Sequence, residues 1–224
     1  MLDFGYYNMD CMEGMKEFPD KYFELCIVDP PYGLGDKLLK GGKNGNVVQM
    51  GKMYERSEWE DIKPTKEYFT ELFRVSQNQI ICGANYFSDM IPPSRGIVCW
   101  DKLKGDNHNF SHFELIWTSF DCIARIFKKV SNLDDRFHPC QKPVALYEWL
   151  LRNYAKQGDK ILDTHVGSAS SLNACHNLGF QYVGFELDKE YYEKSLDRLE
   201  TAKKQVSILD VIEKKENTQI GMEV

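Results

Sequence analysis

Residues 26–35 read CIVDPPYGLG, a segment in which an apolar run meets an acid, two prolines and an aromatic residue. Asp29 offers a carboxylate at the end of a predicted strand. Pro30 has no N–H, so its carbonyl oxygen can face a bound molecule on a stiff backbone without a competing donor. Tyr32 offers a ring on which a flat molecule can stack. The segment predicts a site that grips a flat hydrogen-bond donor, although a plain strand-ending turn would have the same residues.

A second segment with chemical potential spans residues 160–188, KILDTHVGSASSLNACHNLGFQYVGFELD. A strand ends at Asp163, a loop of small residues and a helix follow, and a further strand ends at Glu186. Backbone N–H groups of such a loop can approach a ligand, and an acid about 20 residues further on suits the two hydroxyls of a ribose. The full GxGxxG pattern is absent, which favours a nucleoside without a pyrophosphate. A βαβ unit without a ligand would have the same pattern.

The segment from Gly33 to Lys52 contains six glycines and four lysines against one aspartate. So many glycines raise the entropic cost of ordering the chain, which predicts a mobile basic loop. Its position directly after DPPY favours a loop that closes on a polyanion through Lys37, Lys40 and Lys43. A surface insertion without function would have the same composition.

Composition limits the classes of protein that remain. The chain has 224 residues, 42% apolar and 28% charged, which fits one globular domain with a real core. It has no run of about 18 apolar residues, and its first residues are acidic and polar, so we expect neither a membrane span nor a signal peptide. Seven scattered cysteines without a CxxC pair indicate reduced thiols in the cytoplasm rather than disulfides or zinc. We predict no metal, because the helical spacing of His108 and His112 falls in a loop-like setting.

Strand and helix patterns alternate along the chain, which predicts an α/β fold with a largely parallel sheet covered on both faces. The predicted strands are 24–29, 79–83, 96–101, 113–119, 123–127, 160–163 and 182–187. The predicted helices are 66–76, 144–155, 170–178 and 189–206. Residues 1–209 are expected to form one domain, followed by a frayed polar tail over 210–224.

Several of these segments, in this order, resemble the DNA amino-methyltransferases that use S-adenosylmethionine. The matching segments are NMDC at 8–11, DPPYG at 29–33, VCWDK at 98–102, FELIWTS at 113–119, HPCQKP at 138–143 and DTHVGSAS at 163–170. DPPY precedes the cofactor segment, as in the permuted beta class of that family. The resemblance implies a Rossmann-like methyltransferase fold with a catalytic half over about 1–102, a short target-recognition segment over about 103–137 and a cofactor half over about 138–209.

The resemblance implies methyl transfer from S-adenosylmethionine to the N6 amine of an adenine flipped out of DNA, with Asp29, Pro30, Pro31 and Tyr32 as the catalytic residues. It implies a cofactor site built from Asp10, Asp29, Lys142, Asp163, Thr164, Gly167, Ser168, Ser170, Glu186 and Leu187. We assign the remaining cationic candidates to DNA: Lys37, Lys40, Lys43, Arg125, Lys128, Lys129 and His138. Asp10 is equally well explained as a helix N-cap, Lys142 as a solvated lysine, and His138 as a cap of the following helix.

Two departures from the family pattern concern the cofactor loop. Thr164-His165 stands where Pro-Phe is usual, and Ala169 stands where a second glycine is usual, so we expect a methyl group where the backbone approaches the cofactor. These departures keep open a non-catalytic nucleic-acid-binding module. The motifs also fit an N4-cytosine enzyme and an RNA or protein-glutamine methyltransferase. A homodimer and a cognate restriction enzyme are expected partners by resemblance.

Overall fold

The structure is a computed structural model, and it describes residues 1–34, 62–104, 111–131, 137–138 and 140–220, with side chains up to residue 205. The described strands form one eight-stranded sheet in the order β1-β8-β7-β2-β3-β5-β4-β6. Their bounds are β1 Gly5–Asn8, β2 Phe23–Val28, β3 Ser76–Cys82, β4 Ile97–Asp101, β5 Phe113–Thr118, β6 Arg125–Lys128, β7 Lys160–Asp163 and β8 Gln181–Glu186.

The sheet is parallel except at one strand. β5 runs antiparallel to both of its neighbours, β3 and β4, and every other pairing is parallel. The chain leaves β2 towards β3 on one side and leaves β7 towards β8 on the other. The boundary between β2 and β7 is therefore a topological switch point, where open α/β sheets form a crevice at the carboxyl ends of their strands.

Helices cover both faces of the sheet, as the alternating pattern predicted. They are α1 Cys11–Lys16, α2 Lys66–Val75, α3 Val144–Tyr154, α4 Ser170–Leu178 and α5 Lys189–Ile220. Side chains of β2 alternate between the two cores: Cys26 and Val28 pack in the cluster that contains α1 and α2, whereas Leu25 and Ile27 pack in the cluster that contains α3 and α4. Burial on both faces explains the continuous apolar run of β2 from Leu25 to Val28.

Three features differ from the sequence-based expectation. The short elements β1 and α1 were not predicted, because four and six residues give too little periodicity to detect. The predicted end of the last helix near residue 206 is wrong, since α5 continues to Ile220 through most of the segment expected to be a frayed tail. Its sequence contains no glycine or proline to stop it. Within the described residues, no helix is both long enough and apolar enough to cross a membrane.

Candidate active site

A pocket of about 940 Å³, measured out to its open mouth, lies at the carboxyl ends of β2, β7 and β8. Both chemistry-bearing segments reach it. Its wall is formed by Met9, Asp10, Cys11, Asp29, Pro30, Pro31, Tyr32, His138, Cys140, Lys142, Tyr147, Thr164, His165, Val166, Gly167, Ser168, Glu186 and Leu187.

The DPPY segment begins directly after β2 and presents its acid to the pocket. The Tyr32 hydroxyl donates to Asp29 Oδ1 at 2.6 Å, and the Lys142 ammonium donates to Asp29 Oδ2. A carboxylate has about four lone-pair sites, so two remain for a further donor. Asp29 thus lies directly after β2 with Lys142 bonded to it, and the cofactor contact that the resemblance implies for Lys142 remains a prediction.

Glu114 is a site residue that was not singled out from the sequence. Its Oε1 lies 2.9 Å from Lys142 Nζ and 2.9 Å from the Tyr32 hydroxyl, and its Oε2 lies 3.1 Å from Lys102 Nζ. We call Lys102, Glu114, Lys142 and Asp29 the ionic network. The signal in the sequence was one acid in the otherwise apolar strand FELIWT, because an acid is rarely buried without a partner.

A cluster of potential metal ligands among the described residues includes both acids of the ionic network. Ligand atoms of Asp29, Cys82 and Glu114 all lie within 4.8 Å of one another. The Lys142 ammonium bonds to both carboxylates, so a protein cation already balances the charge that a metal ion would balance.

The network also sets the proton affinities of its members. Burial raises the pKa of Asp29, and the nearby Lys142 offsets this only in part. Burial also opposes ionisation of Glu114, but Lys142 and Lys102 outweigh it and hold the pKa of Glu114 at about 2. Burial of Lys142 is outweighed by Asp29 and Glu114, which raise the pKa of its ammonium. Of the two acids, Asp29 is therefore the one that takes up a proton more readily.

The ring of Tyr32 is held by aromatic neighbours. It stacks on Tyr86 with centroids 4.7 Å apart and planes within 16°, and it meets the Phe87 ring edge to face with centroids 5.9 Å apart. Gly83 adopts φ +71°, and a Cβ built there would come within 2.3 Å of Tyr32 Cε1. The sequence suggested a ring free to receive a base, but one of its faces is already covered.

The opposite wall of the pocket is the loop between β7 and α4. Gly167 N–H donates to Glu186 Oε2 at 2.8 Å, and Asp188 N–H donates to Glu186 Oε1 at 2.9 Å. Gly167 has φ +54°, and a Cβ there would meet the His138 ring at 3.3 Å. Glu186 is only 7% exposed, yet it lines the pocket and keeps free lone pairs. This geometry suits an acid that accepts hydroxyl groups.

Two predicted cofactor residues support this loop from behind and do not line the pocket. Asp163 accepts the His165 N–H at 2.9 Å and the Ser171 hydroxyl, and burial raises its pKa to about 7. Ser170 donates its hydroxyl to the Lys142 carbonyl at 2.7 Å, which ties α4 to the HPCQKP segment. In the structure both residues position the loop, and the cofactor contacts that the resemblance implies for them remain predictions.

The departures from the family pattern have local explanations. Ala169 adopts φ +58°, and it packs in the core with Leu172 and Leu199. Its methyl group therefore does not fill the pocket, contrary to expectation. Thr164 Oγ1 lies 2.7 Å from the Tyr68 hydroxyl and 2.9 Å from His165 Nδ1. Burial lowers the pKa of His165 to about 4, so this pocket residue is a neutral imidazole.

Asp10 is a helix N-cap that also lines the pocket, and its contact with the cofactor remains a prediction. Its Oδ1 accepts the N–H groups of Met12 and Glu13 at 2.7 and 3.3 Å, which makes it the N-cap of α1. The same residue lines the pocket, as does Leu187, which is 58% exposed.

The predicted DNA contacts separate into groups. Lys37, Lys40 and Lys43 lie outside the described residues. Lys128 ends β6 and Lys129 follows it, at the same edge of the sheet as the pocket. Arg125 begins β6 at the opposite edge and bonds to Asn153.

His138 is buried in the pocket wall. Its ring lies 4.5 Å from that of Tyr191, and its Nδ1 accepts the Cys140 N–H at 3.3 Å. His138 thus lies in the pocket wall and Arg125 at the opposite edge of the sheet, and the DNA contacts expected of them remain predictions.

Comparison with known proteins agrees with this architecture. Residues 93–197 match the model of the N6/N4 methyltransferase family described as DNA methylase. The chain is 24% identical over 234 residues to Type II methyltransferase M.HpaI from Haemophilus parainfluenzae, covering 86% of this chain and 73% of that protein. It is 21% identical over 246 residues to DNA adenine methyltransferase YhdJ from Escherichia coli (strain K12), covering 86% of this chain and 81% of the relative.

The fold is shared with a solved methyltransferase. The crystal structure of the M1.HpyAVI–SAM complex superposes with a TM-score of 0.57 at 19% identity, covering 86% of this chain and 98% of the other. The parallel sheet with a pocket at its switch point thus defines a methyltransferase-type α/β fold. The sequence matches are also to DNA methylases and methyltransferases, so the chain is similar to the DNA amino-methyltransferases.

Proposed function

We propose that this protein transfers a methyl group from S-adenosylmethionine to the N6 amine of adenine in DNA. The observation that carries the proposal is the position of Asp29, whose carboxylate faces the same pocket as Glu186 and retains lone pairs beyond its bonds to Tyr32 and Lys142. The proposed amine acceptor and the proposed nucleoside-binding wall would thus share one cavity.

The residues of the pocket fit S-adenosylmethionine. Glu186 and Asp10 offer carboxylates to hydroxyl and amino groups, and the Gly167 turn brings backbone close to the cavity. Acids around the pocket also favour a ligand that carries a sulfonium cation. When bound, S-adenosylmethionine supplies a methyl group activated by its positively charged sulfur.

The DPPY residues would act on the target amine. An exocyclic amine is a poor nucleophile, because its lone pair is delocalised into the ring. Asp29 and the Pro30 carbonyl would accept its two N–H groups and favour a more tetrahedral nitrogen. Asp29 would then take up the proton that the amine loses, a role that suits the acid of this site whose pKa burial raises.

Access to the amine requires the base to leave the duplex, since the amine is paired there. We propose that the flipped base packs against the Tyr32–Tyr86 ring pair. Stacking of a base on an aromatic side chain contributes about 1–3 kcal/mol. The DNA backbone would be held by Lys128 and Lys129 on the pocket edge of the sheet, together with Lys37, Lys40 and Lys43.

Adenine is proposed over cytosine on two grounds. An acid at the first DPPY position accompanies adenine more often in the family this chain resembles, and one relative, from Escherichia coli, is named a DNA adenine methyltransferase. The N4 amine of cytosine is the second candidate, because both bases present the same group and the matching family model spans both chemistries.

The test is methylation of unmodified genomic DNA with the purified protein, followed by digestion and mass spectrometry of the nucleosides. We expect N6-methyladenine, and at least about 100-fold less with Asp29→Asn, because an amide cannot act as the proton acceptor. Asp121→Asn is the matched control, since Asp121 is 81% exposed on the surface. N4-methylcytosine without N6-methyladenine would overturn the choice of base.

A non-catalytic nucleic-acid-binding module would behave differently. It would show no heat by calorimetry with S-adenosylmethionine or its demethylated product, and Asp29→Asn would not alter its binding to DNA. Cofactor binding with DNA-dependent turnover would exclude it.

A further inference from the structure

The ionic network joins four charged side chains from four separate parts of the chain. Asp29 follows β2, Lys102 follows β4, Glu114 lies in β5, and Lys142 precedes α3. Lys142 and Asp29 are 4% and 13% exposed, and Glu114 and Lys102 are 11% and 15% exposed. Charges so far from water are tolerated only when they are paired, and removing one partner leaves an uncompensated charge.

The charges of the network alternate in space. Lys142 Nζ bonds to both acids, at 2.9 Å from Glu114 and in direct contact with Asp29. Lys102 Nζ lies 3.1 Å from Glu114 Oε2, the oxygen that does not contact Lys142. The Tyr32 hydroxyl lies 2.6 Å from Asp29 and 2.9 Å from Glu114, which connects the two acids a second time. Two ammonium groups thus balance two carboxylates.

We propose that Lys142 and Glu114 are positioning residues that control the charge of Asp29, with Lys142 favouring its ionised form and Glu114 opposing it. The proposal rests on the proposed function of Asp29 as the acceptor of the target amine and its proton. It gives Glu114, which lies outside the DPPY and cofactor segments, a defined part in the reaction.

Loss of Lys142 would leave two carboxylates facing each other without the ammonium between them. Like charges at this distance cannot both stay ionised at low cost, so one of them takes up a proton. Glu114 would still be paired with the Lys102 ammonium, whereas Asp29 would retain only the hydrogen bond from the neutral Tyr32 hydroxyl. The proton therefore goes to Asp29, which then loses its strength as an acceptor.

Loss of the charge on Glu114 acts in the opposite direction. Lys142 would then be ion-paired with Asp29 alone, and the negative charge that opposes ionisation of Asp29 would be gone. Asp29 becomes more firmly ionised and a weaker proton acceptor. The titratable groups that face Asp29 or act on its network partners are Tyr32, Cys82, Lys102, Glu114, Lys142, Tyr147 and Asp163.

The experiment compares Lys142→Met and Glu114→Gln with the unaltered protein. The first readout is the carbon-13 NMR titration of the Asp29 carboxyl in the free protein, assigned with Asp29→Asn. We expect its midpoint to rise in Lys142→Met and to fall in Glu114→Gln, each by about 1 pH unit or more. The second readout is the acid limb of the pH–rate profile of methylation, which should move in the same two directions.

A purely structural role predicts lower stability in both variants without opposite shifts of the midpoint. Shifts in the same direction, or no shift in either variant, would overturn the proposal. Glu114→Gln is nearly isosteric and keeps the result decisive if Lys142→Met folds poorly. Lys194→Met and Glu190→Gln, from an exposed ion pair on α5, serve as matched controls that should leave the midpoint unchanged.

The titration needs neither cofactor nor DNA, so it separates this inference from the proposed function. Opposite midpoint shifts in a protein that methylates no DNA would retain the control of Asp29 by the network and reject the methyltransferase reaction. Methylation of DNA with unshifted midpoints would retain the reaction and reject the network.

Discussion

The two walls of the pocket are held in different ways. On the proposed cofactor side, the hydrogen bonds that the carboxylates of Asp163 and Glu186 accept come from residues 2 to 19 positions away. On the catalytic side, Asp29 and Tyr32 are held by side chains 82 to 113 positions away. One wall is a local backbone structure, and the other is an assembly of distant charges.

This difference has a physical origin. A βαβ unit places its loop and its second acid at the same sheet edge whatever the rest of the chain does. The ionic network exists only because β5 inserts antiparallel between β3 and β4 and carries Glu114 to the edge where β2 ends. Changes to the network should therefore affect chemistry and pH dependence, and changes to the loop should affect cofactor affinity.

The largest effect that separates the walls is expected from Gly83→Ala. Its Cβ would come within 2.3 Å of the Tyr32 ring, at a residue with φ +71°. Displacing Tyr32 breaks its hydrogen bond to Asp29. A misplacement of about 1 Å at a reaction centre costs about 100-fold in rate, so we expect a loss of turnover of that order. Cofactor affinity, measured by calorimetry, should change by less than about threefold, because the bonds of Glu186 remain intact.

Gly158→Ala is the matched control for Gly83→Ala. Gly158 has φ +92°, but a Cβ built there has no neighbour within 4 Å. It should cost only the roughly 1 kcal/mol of a left-handed alanine, measured by urea unfolding, with normal methylation. An equal loss of methylation in both variants would show that backbone strain, and not the displaced ring, is responsible.

A second test uses the buried acid behind the cofactor wall. Burial raises the pKa of Asp163 from 3.8 to about 7 in the fold, so the folded protein binds more protons than the unfolded chain between these values. Its contribution to stability is complete below pH 3.8 and is lost as the pH rises to about 7. Asp163→Asn should remove this dependence, which is worth roughly 1.4 kcal/mol per pH unit between pH 5 and 7.

The measurement is the difference in unfolding free energy between Asp163→Asn and the unaltered protein, by urea titration at pH 5, 6 and 7. The variant should gain relative stability as the pH rises. A difference that does not vary with pH would mean that Asp163 stays ionised, held by Ser171 and the His165 N–H alone.

The two walls also differ in how much of them the sequence could predict. The apolar run of β2, the small-residue loop and the acids at 163 and 186 follow from local pattern, and the structure brings Asp29, Glu186 and Gly167 to one pocket. Glu114 could not be placed, because the pairing of β5 with β3 and β4 is a property of the whole sheet. The same limit affected Lys142, whose partner depends on a contact across 113 residues.

Glu186→Gln should weaken the cofactor wall alone. The amide oxygen can still accept one of the two backbone N–H groups, but without the charge that strengthens this hydrogen bond. The amide NH₂ group faces the other N–H, so the second hydrogen bond is lost. We expect the dissociation constant of S-adenosylmethionine to rise about 10- to 100-fold, with turnover at saturating cofactor reduced by less than about fivefold. Glu190→Gln on the exposed face of α5 is the control, and a loss confined to turnover would contradict the division between the walls.

The smallest effect is expected at Ala169, where two terms nearly cancel. Ala169→Gly relieves about 1 kcal/mol of left-handed strain at φ +58° and removes a buried methyl group worth about the same. The unfolding free energy should change by less than about 1 kcal/mol, and cofactor affinity should stay within about threefold, because this methyl group packs on Leu172 and Leu199. Ala169→Val, with a β-branched side chain at a positive φ, should cost more than about 2 kcal/mol. If the glycine variant instead bound S-adenosylmethionine about tenfold more tightly, the methyl group would have to reach the ligand, and the cofactor wall would not be fixed by its own backbone and core alone.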